Sequence, residues 1–250
     1  MTRHLTEIFR HPIKSHGRER LEKVTLTAGK TMPWDRVWAV AHEMAKADGS
    51  EWAACANFSR GSKAPALMAI SAQLDEATET LTLYHPSRPN LTFRPDDELE
   101  VFLDWVRPLM PEGRAQSARI LRVPDRGMTD TPFPSISLNG HSSLRALGEK
   151  LGKPTFAQER FRGNLWFEGL GPWEEFEWVG KTVQLGDVQM NVVERIERCM
   201  ATTANPATGA RDATTLDALR DGWGHQDFGV YAEVTKGGTI KIGDEIEVLG

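Results

Sequence analysis

Residues 188–209 read Val-Gln-Met-Asn-Val-Val-Glu-Arg-Ile-Glu-Arg-Cys-Met-Ala-Thr-Thr-Ala-Asn-Pro-Ala-Thr-Gly. The Val/Ile-rich run predicts a strand over 188–196, and the Pro/Gly turn after it stops the strand. Cys199 falls between, after Arg198 and before the hydroxyl pair Thr202 and Thr203, which is how a strand presents a thiolate at its exposed end. It is the candidate metal ligand or nucleophile.

Outward from this strand the same signal recurs. Short strands are predicted at 183–185, 228–234 and 239–248, the last as two strands joined by a tight Gly243-Asp244 turn. Before it lie strands at 4–10, 21–27, 37–41, 66–73, 80–85, 91–94, 119–123 and 161–167. Helices are few: an amphipathic one over 96–109 with Leu99, Phe102, Leu103 and Val106 at helical spacing, one starting after an Asn139-Gly140 turn with Ser142 or a nearby residue as its cap, and one over 213–219. Many short strands with few helices argue for a mainly β, α+β chain built from β-barrels rather than a doubly wound sheet.

Composition narrows the function. With 250 residues and 40% hydrophobic content the chain can bury a sizeable core. Its net charge of −5 comes from 30 basic and 35 acidic residues that are interspersed, which argues against a nucleic-acid or membrane surface. Two cysteines, Cys55 and Cys199, form neither a disulfide framework nor a metal motif, so a reducing cytoplasm is expected. No signal peptide and no run of roughly 20 apolar residues is present, so no membrane is expected.

Several polar stretches could serve Cys199. Lys14-Ser15, between Pro12 and Gly17, is a plain basic loop or a phosphate-holding one. Arg36 is an anion clamp or a partner of Asp35 stacked on Trp34. Arg162 and Asn164, two apart on a strand, should share a face. Residues 48–65 predict a mobile lid, with Cys55 as a filler or loop thiol. Pro172–Trp178 is an aromatic-rich turn of helix for the core, and His225 a surface loop residue.

Lys14-Ser15, Asp35-Arg36-x-Trp38, Phe161-Arg162-x-Asn164, Arg198-Cys199 with Asn205-Pro206-x-Thr208-Gly209, and the ending Gly-x-Ile-x-x-Gly-Asp together resemble the MOSC family. These are the molybdenum cofactor sulfurase C-terminal domain proteins, in the form preceded by an N-terminal MOSC β-barrel module. The resemblance implies an N-terminal module over 1–124 and a MOSC domain over 125–250, with a molybdopterin cofactor between them. It implies Cys199 as the molybdenum ligand and the catalytic residue, and Lys14, Ser15, Arg36, Thr129, Asp130, Arg162, Asn164 and Arg198 as cofactor-binding residues.

The same resemblance, which extends to amidoxime-reducing proteins, implies two-electron removal of oxygen from N-hydroxylated small molecules such as amidoximes. Some bacterial members add a ferredoxin-like segment with four clustered cysteines. With no such cluster here, electrons are expected from a separate reductase or small iron–sulfur or haem protein. Two rival functions use the same thiol: a non-catalytic carrier of the molybdenum cofactor or of sulfur, and a metal-free nucleophile needing a base, for which His225 is nearest in sequence.

Overall fold

The computed structural model describes residues 2–249. In chain order, the first part contains β1 (His4–Arg10), β2 (Ile13–Lys14), β3 (Glu19–Leu21), β4 (Lys23–Leu26), β5 (Trp38–His42), β6 (Ser71–Asp75), β7 (Thr80–His85), β8 (Arg88–Phe93), α1 (Leu99–Val106) and β9 (Ser117–Arg122). The second contains β10 (Ile136–Gly140), α2 (His141–Lys150), β11 (Leu165–Glu168), β12 (Thr182–Leu185), β13 (Val188–Glu197), α3 (Thr215–Trp223), β14 (Asp227–Lys236), β15 (Gly238–Lys241) and β16 (Ile246–Val248).

The mostly β, α+β architecture expected from the sequence is the one observed. An eight-stranded sheet runs β16-β12-β13-β14-β10-β11-β1-β3, beside three-stranded sheets β2-β5-β9 and β6-β7-β8 and the pair β15-β4. None of these ladders closes completely among the described residues. The large sheet nevertheless curls until its far strands meet. Leu5 N–H donates to Asp244 O at 2.9 Å, Gly243 N–H to Leu5 O at 2.7 Å and Ile246 N–H to Arg3 O at 3.1 Å.

The pattern within each strand explains its burial. In β7, Leu81, Leu83 and His85 alternate inward with Thr80, Thr82 and Tyr84 outward, and the buried set packs with Phe93, Phe102 and Trp105 of β8 and α1. In β13, Val188, Met190 and Val192 face a core that also takes Leu5, Ile8, Val24 and Leu26. Strands from the first hundred residues therefore complete the core of the second half. Past Val192 the β13–β14 register slips twice, between Val192 and Glu194 and between Arg195 and Glu197. Such bulges bend a strand and re-aim its side chains. Here they fall in the residues just before Cys199.

Three expectations change. The ending is not a hairpin, since β15 pairs with β4 and β16 with β12, two different sheets separated by the Gly243 turn. Asn139-Gly140 is not a turn but the end of β10, from which α2 starts directly. Ser142 does not cap that helix. The buried Glu175 carboxylate accepts from Gly140 N–H at 3.3 Å and from Ser143 Oγ at 2.8 Å, doing from a distance what a local cap would do. Burial, with no cation beside it, pushes the Glu175 carboxyl up.

Arg162 and Asn164 do not share a strand face either. Residues 158–161 form a 3-10 turn, Arg162 takes φ 49°, and β11 begins only at Leu165. The left-handed residue breaks the two-residue alternation and sends the two side chains apart. Asn164 is 2% exposed and ties three strands: its Oδ1 accepts from Ser137 N–H at 3.2 Å and Ser137 Oγ at 3.0 Å, and its Nδ2 donates to Phe9 O at 3.1 Å. Asn164→Leu orphans these groups and should cost about 2–4 kcal/mol. Urea denaturation of the variant would read this as a lower midpoint; an unchanged midpoint would contradict the role.

Candidate functional site

The site is built where the bulged end of β13 meets two loops of the first half. A cavity of about 450 Å³ is walled there by the continuous run Glu194–Cys199, by Lys14, Ser15 and Arg36, and by Asp130 and Arg162. Its roof is the segment around Cys55, Arg60 and Gly61. Cys199 is exposed and carries a free thiol.

Each basic residue is placed by a specific contact. Asp35, 1% exposed, accepts from His11 N–H at 2.7 Å and from the Arg36 guanidinium, fixing the loops that carry Lys14 and Arg36 to one another. Burial works against that carboxylate's charge, yet Arg36 and His11 hold it far below the usual carboxylate range. Arg36 donates onward to Arg162 O at 3.1 Å and its own carbonyl accepts from Met128 N–H at 2.7 Å. Lys14 Nζ donates to Met128 O at 2.7 Å and pairs with Asp130. Arg162 reaches back across the chain to Gly17 O at 3.0 Å.

Arg36 thus resolves both of its possibilities at once, pairing with Asp35 and lining the cavity. The residue over the indoles is Arg122, whose guanidinium carbon lies 5.6 Å from the Trp34 ring and 5.4 Å from that of Trp38.

Electrostatically this is a crowd of cations. Burial, and then the neighbouring Arg36, lower the Arg162 guanidinium to about 9. Burial lowers Arg198 to about 10. Asp130 is 54% exposed on its side chain, toward the cavity. Its crowded surroundings tend to raise its carboxyl, but Lys14, Arg36 and Arg162 outweigh them and hold it at about 2. Three carboxylates, Asp130, Glu194 and Glu197, against seven Lys and Arg side chains on the wall leave a local excess of positive charge, so the cavity favours an anion.

Backbone strain marks the same place. Ser15, Arg36 and Arg162 have φ of 64°, 54° and 49°, a region that costs a non-glycine residue roughly 1 kcal/mol or more. All three are predicted site residues. Their strain is held by surrounding bonds, and all three line the one cavity.

Other expected members serve the frame. Thr129 is 2% exposed and its hydroxyl donates to Thr131 O at 3.3 Å, away from the cavity wall. Arg198 lines the cavity but spends its nitrogens on Phe161 O at 2.8 Å, Phe228 O at 2.6 Å and Asn139 Oδ1 at 3.1 Å, so it anchors the cysteine-bearing strand end. The Thr202 and Thr203 hydroxyls donate to Cys199 O and Met200 O, at 3.1 and 2.8 Å, and serve the turn rather than the thiol. His225 packs against the Trp173 and Phe176 rings, with centroids 5.5 and 5.3 Å apart, and is not on the cavity wall.

The roof differs most from expectation. Residues 48–65 are not an untethered lid. Ser59 N–H donates to Val40 O at 2.8 Å, Arg211 Nη2 to Ser62 O at 2.8 Å, and a Cβ on Gly209 would stand 2.6 Å from Ala66 Cα. Cys55 is no filler, since it faces the same cavity as Cys199. Arg60, Arg160, Ser137 and Tyr231 also reach the wall, and no sequence pattern pointed to them. Tyr231 stands opposite Glu194 in the β13–β14 ladder, a pairing fixed only by the fold. Burial, and then Asp130, push its phenol up.

This β-rich fold with Cys199 among strained cationic loops defines the class, and family-level comparison agrees. Residues 2–103 match the MOSC N-terminal beta barrel domain and residues 129–247 the MOSC domain. The chain belongs to the MOSC family, in the form that carries both domains. It is 29% identical over 154 residues to the mitochondrial amidoxime-reducing component 1 of Mus musculus, covering 57% of this chain and 44% of that protein. The Homo sapiens counterpart is 30% identical over 161 residues, covering 60% and 46%.

The molybdenum cofactor sulfurase of Anopheles gambiae is 32% identical over 146 residues, covering 51% of this chain and 19% of that protein. The matched segments thus span less than half the length of these relatives. Among solved structures, the YUAD protein from Bacillus subtilis aligns with 99% of this chain and 96% of its own, at 13% identity and a TM-score of 0.48. Of these relatives, the sulfurase is the one named for the molybdenum cofactor. No helix among the described residues is long and apolar enough to cross a membrane.

The buried histidines behind the site set its response to acid. Burial, and then Arg162, lower His11 to about 3, and burial lowers His16 to about 4. Below pH about 6.5 the unfolded chain takes up protons on these rings that the folded chain refuses, so stability falls as pH drops from about 6.5 toward these folded values. Urea midpoints measured at pH 7, 5.5 and 4.5 should decline, and His16→Asn should flatten part of that slope. A profile as steep in the variant as in the parent would show that His16 is not buried neutral.

Proposed function

We propose that this protein is a molybdenum-cofactor oxidoreductase that reduces N-hydroxylated small molecules, amidoximes among them, with electrons from a separate protein. The observation that carries the reading is the meeting of an exposed Cys199 thiol with Lys14, Ser15, Arg36 and Arg162 around one cavity, three of them in strained backbone. The donor set fits a pterin phosphate and a soft metal. A thiolate suits molybdenum, and guanidinium forks suit phosphate and pterin edges.

In this reading Lys14, Arg36 and Arg162 hold the anionic end of the cofactor, and Ser15 offers its hydroxyl and N–H. Cys199 is the protein's ligand to the metal. When bound, the cofactor supplies a two-electron redox centre, which no side chain here can provide. Asp130 stays ionised at neutral pH and balances the cation cluster, while Tyr231 Oη keeps its proton on the cavity wall. The overall change takes an N–OH group, two electrons and two protons to N–H and water. We take the working units to divide near residue 124, with the cavity between them. A thiolate ligand also calls for a reducing compartment, which the cytoplasm provides.

The test is turnover. Protein purified from a host that makes the cofactor should contain close to one molybdenum per chain and reduce benzamidoxime with reduced methyl viologen. With NADH alone it should not. Cys199→Ala should lower the rate by at least about a hundredfold, the scale expected when a group needed in the transition state is removed. Metal-loaded protein that turns over no N-hydroxylated compound with any donor would instead be a cofactor or sulfur carrier.

A further inference from the structure

Arg60 differs from every other cation on the cavity wall. Lys14 is paired with Asp130, Arg36 with Asp35, and Arg160 with Asp212 at 2.7 Å. Arg162 and Arg198 bond to backbone carbonyls. The Arg195 guanidinium lies 4.4 Å over the Phe176 ring. The Arg60 side chain has one hydrogen-bond partner, the thiol sulfur Cys55 Sγ at 3.0 Å, and, as for Arg162, Arg195 and Arg198, no carboxylate among the described residues lies within ion-pair distance of it. A thiol sulfur is a weak acceptor, easily exchanged for an oxyanion, whereas a guanidinium and a carboxylate form a bidentate, charge-assisted pair.

The position is prepared on both sides. Arg60 O accepts from Lys63 and Ala64 N–H, both at 2.9 Å, so the turn that carries the side chain is fixed. Arg60 also walls a second hollow of about 210 Å³ together with Lys63, Arg114 and His42, and no acidic residue lines it. Arg60 and Cys199 line the same cavity, so a ligand whose N–O bond lies at Cys199 can present a second group to Arg60.

We infer that Arg60 is the receptor for an anionic substituent of the substrate, and that the preferred substrates are N-hydroxylated compounds bearing a carboxylate or other oxyanion. This rests on the reductase reading above and narrows its substrate class. The cations held by Asp130 and Asp35 serve the cofactor, and Arg60 serves the molecule being reduced.

Two probes of matched shape test it: 4-carboxybenzamidoxime and its methyl ester, given to the holoprotein with reduced methyl viologen. The parent should show a KM for the acid at least about tenfold below that for the ester, as charged hydrogen bonds of ordinary strength imply. In Arg60→Ala the ratio should fall to about one, and in Arg60→Lys it should be intermediate. Calorimetric titration of both probes should give the same order without turnover. Equal KM values in the parent, or a ratio that survives Arg60→Ala, overturns the assignment. Loss of molybdenum from Arg60→Ala also overturns it, by giving Arg60 to the cofactor. If neither probe is reduced but the acid binds the parent and not Arg60→Ala, the receptor stands and the reductase reading fails.

Discussion

The buried carboxylate of Asp35 is the contact on which the site depends. It is almost fully removed from water, and alone it would cost several kcal/mol to ionise there. It is stabilised because the Arg36 guanidinium and His11 N–H converge on it. Through Arg36 the arrangement extends to Arg162 O and Met128 N–H, and through Met128 O to Lys14. Four loops distant in sequence are thus held in one electrostatic frame. Without that centre the guanidiniums would repel one another, and the cation-rich cavity would relax toward solvent.

Strain and charge support each other in this frame. Left-handed backbone at Ser15, Arg36 and Arg162 persists only where surrounding bonds over-determine it, and each has such a bond nearby: Arg36 N–H to His11 O at 2.7 Å, Arg162 N–H to Glu159 O at 3.2 Å, and His16 N–H to Ile13 O at 3.1 Å beside Ser15. The depressed guanidinium of Arg162 shows the cost of gathering positive charge away from water. An entering anion relieves that cost, so the frame is organised for a ligand before one arrives.

Local patterns carried much of this. The two-residue alternation of β7, the helical spacing in α1 and the Val/Ile run of β13 depend on near neighbours, and they were legible as such. Lys14, Ser15, Arg36, Asp130, Arg162 and Cys199 were legible through the family resemblance, and the structure brings them to one cavity. Asn164 and Thr129 were not separable from them in sequence, because whether a polar side chain faces a cavity or a strand depends on φ at a neighbour. The partners of β15 and β16, the cap from Glu175 and the roof residue Arg60 follow from contacts between segments far apart, which no local spacing encodes.

The sharing of strands between the two halves shapes how the chain reaches its native state. β1 pairs with β11, His4 opposite Glu168, and its neighbour Leu5 bonds to Asp244. A ribosome delivers β1 and its neighbour β3 long before β11 or Asp244 exists, so the β11 edge of this strand waits unpaired while the residues between are made. Pairings of such long range are slow to form, and their unpaired edges invite association with other chains. Residues more than two hundred positions later are therefore the ones that secure β1.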